Sequence, residues 1–339
     1  MLRMISNALG RPHSTRPSSP RQCEKALPPR PEQQVSLRGQ LSFGELEIRK
    51  RAMQTFKYSD LLQHLEPFDD WLRTLGLTPR REDRIHQAFE TPRMADAASR
   101  AGRETGEYTT IAGEHLFQLT EALEAHDIFM AFEKEPSEVL ARALGRALSG
   151  PAQPLDENQK NSDGRNVWFE LALAADWKLR GATVHLGEPD LQLFRDNKKF
   201  LMACKRPASE HSVRSNIRGA ISQLNDNLRL AQEDESGVIA ISLTRVLNPG
   251  DKYWSGNLEQ LGNLLHGLMQ QYTPYWQDAD ADPRICSILF HVATPSDVGN
   301  TVDVALATYT VAGVVKQPTV GTKIFEEYVL DLKQGRLTR

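Results

Sequence analysis

The run Val238-Ile239-Ala240-Ile241 carries four apolar side chains without a break. Successive side chains of a strand point to opposite faces, so a strand of this kind has no side left for water and must be covered twice. The surrounding sequence supplies the covers. Residues 166–180, 212–231 and 258–272 repeat apolar side chains at three- and four-residue steps, the period of a helix that buries one face. Residues 183–186, 190–194, 200–205, 238–246, 285–293, 302–315 and 325–332 read as strands, with Asp196-Asn197 turning the chain between the second and third. This alternation predicts an α/β fold, with a mixed central sheet flanked by helices.

The first half of the chain reads differently. Residues 1–40 are rich in Pro, Ser, Arg and Gln, with Pro12, Pro17, Pro20, Pro28, Pro29 and Pro31 among them, and hold too little apolar surface to offset their ordering entropy. A disordered, solvated arm is expected there. Over residues 41–150, three apolar series with helical spacing run from Leu61 to Leu75, from Leu116 to Phe132 and from Val139 to Leu148. They predict a small helical domain without visible chemistry, suited to contact a partner protein or a second copy of the chain. Asp60, His64, Asp69 and Asp70 read as the polar face of its first helix, not as metal ligands. Residues 151–165, with Pro151, Pro154, Asn158 and Asn161, read as a linker to a second domain over 166–339.

A formal net charge of -3 excludes a uniformly basic coat for nucleic acid but permits a local basic cleft. Cys23, Cys204 and Cys286 stand far apart, which indicates neither a disulfide framework nor a zinc module and predicts a cytoplasmic protein. No apolar run approaches the roughly 18 residues that span a bilayer, and no secretory signal opens the chain. The Arg-rich opening shares its composition with transit peptides but shows no clear amphipathic face. His185, His211, His266 and His291 have no ligand spacing, and no glycine-rich phosphate loop is present.

Hydrolysing a phosphodiester takes carboxylates that hold a hard divalent ion, plus a cation near the attacking water or the phosphate. Glu170 lies in the helix 166–180, Pro189-Asp190 opens one strand, Ala203-Cys204-Lys205 closes the next, and Gln223 lies in the helix after it. Asp190 and position 203 fall on adjacent strands joined by a short hairpin. Lys205 points to the same side as 203, because strand side chains repeat every second residue.

This order of residues resembles the PD-(D/E)XK nucleases of restriction-endonuclease-like fold. The likeness covers about residues 166–230 well, the later strands only by general pattern, and the first 150 residues not at all. It implies a Mg²⁺-dependent DNA endonuclease, with Mn²⁺ as an alternative ion. Glu170, Asp190 and the backbone carbonyl of Cys204 would be the ligands, Lys205 would orient or activate water, and Gln223 would position the site. Restriction or antiphage defence fits such an enzyme by fold-level analogy. Lys198, Lys199, Arg206, Arg214 and Arg218, with Arg229, form a concentration of cations for DNA phosphates.

Position 203 departs from the pattern. The family has Asp or Glu there, and Ala203 supplies no ligand, so metal affinity and turnover should both fall steeply. Either the natural protein is an inactive, binding-only or scaffold relative, or Ala203 is a deliberate replacement of an acid. Survival of Glu170, Asp190, Lys205 and Gln223 favours the second, since natural decay would erode several members. A third reading is an interaction protein that binds neither metal nor nucleic acid.

Overall fold

The computed structural model describes residues 54–334 apart from 57, 79, 81, 101–115, 152–155, 159, 196, 249–253, 255–256, 278, 297–303 and 316–319. The arm expected over residues 1–40 lies outside the described residues.

Strand β1 (Gln54–Phe56) precedes α1 (Tyr58–Thr74), α2 (Arg84–Arg100), α3 (Leu116–Phe132), α4 (Glu138–Ala147) and α5 (Asp163–Leu179). Then come β2 (Thr183–Leu186), β3 (Leu191–Arg195), β4 (Lys198–Lys205), α6 (Glu210–Leu230), β5 (Ser236–Ser242) and α7 (Thr244–Leu247). The chain continues through α8 (Leu258–Tyr272), α9 (Pro274–Gln277), β6 (Ile285–Ser296), β7 (Val304–Val314) and α10 (Val320–Gln334). Seven strands form one sheet in the order β1-β7-β6-β5-β4-β3-β2. Strands β2, β3 and β4 form an antiparallel meander, β4, β5 and β6 run parallel, and β7 returns antiparallel to β6. The expected mixed sheet flanked by helices is present.

Every residue of β5 is buried, and β5 is the fourth strand of seven. Its apolar run thus takes the central place that needs cover on both faces. One apolar cluster packs Val167 and Leu171 of α5 and Phe325 of α10 onto Phe200, Met202 and Val238. The other packs Val213, Ile217 and Leu224 of α6 and Leu261 of α8 onto Leu201, Ile239 and Ile241. Gly181 takes φ +91 where α5 stops, a left-handed turn that a β-carbon disfavours.

Four expectations need correction. The strand expected over 238–246 stops at Ser242, and Thr244–Leu247 form helix α7. Residues 325–332 belong to helix α10: Phe325, Tyr328 and Val329 are buried at three- and four-residue spacing, a helical period that outweighs the β-forming residue types. Helix α2 went unforeseen, and its apolar periodicity is weak, with Pro92 inside it. The helices of residues 41–150 do not stand apart either. Among the described residues, Leu61, Phe68, Phe89, Ile128 and Leu144 share one apolar cluster with Val167 and Phe200.

Charged groups tie the helices to the sheet as well. Buried Arg84 of α2 donates to Glu121 of α3 and to the Ala147 carbonyl. Arg165 of α5 donates to the same Glu121 carboxylate at 2.9 Å, and Trp168 donates to Glu124 at 2.7 Å. Within the expected linker, Glu157 is only 6% exposed and meets Arg206 at 2.6 Å, Arg245 at 2.8 Å and Arg165 at 3.8 Å. Among the described residues no helix is long and apolar enough to cross a membrane.

Candidate functional site

Strand parity sorts the site residues. Phe200, Met202 and Cys204 of β4 face the α5 side, while Leu201 and Ala203 face α6. Leu191 of β3 lies opposite Met202, so Asp190, one step further out, falls opposite Ala203 on the α6 side. Asp190 is held there from two directions. Its Oδ2 accepts from the backbone N–H of Cys204 at 2.6 Å, and its Oδ1 accepts from Gln223 Nε2 at 3.1 Å.

Gln223 reaches this point because of how α6 is built. A capping box between Ser209 and Ser212 starts the helix, and Val213, Ile217, Ala220, Ile221 and Leu224 form its buried stripe. Gln223 rides at the edge of that stripe. Its Nε2 also donates to the Pro189 carbonyl at 3.0 Å, and its Oε1 accepts from Lys205 Nζ at 2.5 Å. Lys205 Nζ further donates to the Cys204 carbonyl at 3.0 Å and stands 3.5 Å from Asp190 Oδ2. Acid, amide and ammonium form one closed network.

Glu170 comes from α5, on the opposite face of the sheet, and completes the group electrostatically. Burial and then the negative charge of Asp190 push its carboxyl up to about 8, against the pull of Lys205 and Arg146. Burial is the larger cause and the second carboxylate adds to it, so the ionised form of Glu170 is disfavoured from both sides.

Asp190, Glu170 and the Cys204 carbonyl suit a hard ion that keeps most of its own water, as Mg²⁺ does. They do not make a full protein cage. Among the described residues no group of three or more His, Cys, Asp or Glu side chains is arranged to hold a metal ion. Ala203 is fully buried on the α6 side, beside Asp190. The Cys204 thiol lies on the other face, and burial pushes its pKa well up, so it is no thiolate nucleophile.

The structure thus joins Asp190, the Cys204 backbone, Lys205 and Gln223 in one network beside Ala203, while Glu170 stays across the sheet and is coupled to it by charge alone. Other expected residues fall elsewhere. Lys198 and Lys199 begin β4, roughly 20–23 Å from Lys205 by strand rise; Lys198 donates to the Asp234 carbonyl and Lys199 pairs with Glu235 at 3.5 Å. Arg206 is buried against Glu157 and offers nothing to a phosphate at the surface. Arg214 and Arg218 are exposed on α6, with the Arg214 guanidinium 5.6 Å from the centre of the Tyr275 ring.

Two neighbours of the site escaped the sequence. Arg146 of α4 and Asp163 of α5 are joined by hydrogen bonds of 2.8 and 3.1 Å, and the Arg146 charge acts on both Glu170 and Asp190. Neither residue stands in a motif. Adjacent to the site, a cavity of about 40 Å³ lies among Glu121, Glu124, Arg165, Trp168, Arg206 and His291, room for a water or two. Comparison of the chain with protein-family models, curated proteins and solved structures finds no match in any of the three.

Proposed function

We propose that this chain is a DNA-handling domain of restriction-endonuclease-like architecture, whose phosphodiester site is held short of efficient hydrolysis by Ala203. One observation carries the reading: Asp190, Lys205 and Gln223 bind one another where strands β3 and β4 open beside α6. The element order supports it. Helix α5, the meander β2-β3-β4, crossover helix α6 and the parallel strand β5 follow in the sequence that the resemblance implies.

In this site Lys205 brings a positive charge to an entering phosphate or to the water that attacks it. Gln223 fixes the Asp190 carboxylate and the Lys205 ammonium relative to each other. Glu170 and Asp190, with the Cys204 carbonyl, would hold Mg²⁺ or Mn²⁺, which when bound supplies Lewis-acid stabilisation and an acidified water. Arg214 and Arg218, exposed on the helix that carries Gln223, supply phosphate contacts. A second reading, DNA binding without hydrolysis, draws on Lys205, whose ammonium already satisfies the Asp190, Gln223 and Cys204 oxygens.

The test places an acid at 203. Ala203→Glu and Ala203→Asp are assayed on supercoiled plasmid with Mg²⁺ or Mn²⁺, beside the parent chain. Cleavage by either variant, lost again on adding Asp190→Ala, is expected. Folded variants that never cut while DNA is still retained leave the binding-only reading. Absence of DNA retention at low salt removes both.

A further inference from the structure

Helices α4 and α5 meet at their ends in unusually close contact. A β-carbon on Gly164 would lie 2.0 Å from the Ser149 carbonyl oxygen, so only glycine lets the two segments approach this far. The contact sets Arg146, in the last turn of α4, on Asp163, in the first turn of α5. Arg146 Nη2 donates to Asp163 Oδ1 at 2.8 Å and Nε donates to Oδ2 at 3.1 Å. Asp163 precedes Glu170 by seven residues, two helical turns, and so lies on the same side of α5. Arg142, exposed one turn before Arg146, continues the basic edge of α4.

A two-point grip on a carboxylate is also the geometry in which a guanidinium takes a phosphate. The Arg146 and Asp163 side chains are 60% and 62% exposed, so this pair costs little to open. We propose that Arg146, backed by Arg142, grips the phosphodiester backbone of DNA entering the site, and that Asp163 occupies the grip until DNA displaces it. The inference rests on the nucleic-acid reading above and gives the N-terminal helices a direct part in it. Arg146 adds a second positive charge to that of Lys205 on the Glu170 side of the site.

The experiment measures binding of a labelled, mixed-sequence DNA duplex to the full chain by fluorescence anisotropy, in chelator and over a series of salt concentrations. Arg146→Ala should weaken binding roughly tenfold at low salt and lower the slope of log K against log salt by about one. Asp163→Asn should tighten binding several-fold, and only while Arg146 is present. Arg146→Gln repeats the first measurement if Arg146→Ala folds poorly. If the parent binds and the Arg146 variants bind equally well, the pair is a surface ion pair and the inference falls alone. Tightening by Asp163→Asn that persists without Arg146 overturns it too, as a general charge effect. A parent that does not bind DNA overturns this inference together with the proposed function.

Discussion

The Lys205 ammonium stands 3.5 Å from the Asp190 carboxylate, as the positive charge that offsets two acids repelling each other across the end of the β3–β4 hairpin. Removing it should show in the titration of the second acid. In Lys205→Met the Glu170 carboxyl loses one of the charges that pull its pKa down, so it should titrate above its present value of about 8. Carbon-detected NMR of the carboxyl through a pH series reads this directly. An unchanged Glu170 titration would mean that the two groups are not coupled.

Glu170 and Glu124 should make stability fall as the solution becomes more alkaline. Burial raises Glu124 from 4.5 to about 7, and Glu170 rises from 4.5 to about 8. Between the unfolded and folded values the folded chain holds more protons than the unfolded one, so stability is fully present below about 4.5 and declines until pH passes 7 to 8. Glu170→Gln removes the Glu170 share of that decline, which runs from about 4.5 to about 8. At pH above 8 it should be more stable than the parent by on the order of 2 kcal/mol, after allowance for the solvent that still reaches Glu170. Urea midpoints across this pH range, compared between parent and variant, check it; parallel curves would contradict it.

Glu157 should be among the most sensitive positions outside the hydrophobic core. It is the shared acceptor of Arg206 and Arg245 and lies near Arg165, all largely buried. Taking it away leaves buried guanidinium groups without their counter-charge, which typically costs about 3–5 kcal/mol. Glu157→Ala should therefore lower the urea midpoint strongly. Because Arg206 follows Lys205 in the chain, the variant should also loosen the site, visible as a lost NMR signature of the Lys205–Gln223 contact. A variant as stable as the parent would show that water replaces the carboxylate without penalty.

The sheet was legible where one period dominated. Val238 to Ile241 announced a strand covered twice, and the boundaries of β2 and α8 follow from apolar spacing alone. Strand parity likewise foretold that Lys205 and position 203 share a face, the one turned to α6 and Gln223. What the sequence hid was long-range pairing. Nothing local distinguishes Arg206, which is buried on Glu157, from Arg214, which is exposed, and both read as phosphate contacts. Glu157 sits among prolines and asparagines that spell a linker, and its role exists only once Arg165, Arg206 and Arg245 converge on it. Phe325, Tyr328 and Val329 are β-forming residue types carried on a helix, where burial against Trp177 and Phe200 outweighs propensity.

Gln223 offers a way to supply the missing acid from another direction. Its amide nitrogen donates to Asp190 and to the Pro189 carbonyl, while its oxygen accepts from Lys205. Gln223→Glu keeps the acceptor and replaces the donor by an oxygen, which then faces Asp190 with like charge. Two hydrogen bonds are lost, and the fold should weaken by about 1–3 kcal/mol. The same change sets a second carboxylate directly against Asp190, a pair better matched to a hard divalent ion than the parent's amide and acid. Millimolar Mn²⁺ should therefore raise the thermal midpoint of Gln223→Glu well beyond any shift in the parent, because an ion that binds only the folded state stabilises it. The stabilisation should vanish in Gln223→Glu with Asp190→Ala. Equal shifts in parent and variant would place the ion elsewhere and detach Gln223 from the acid pair.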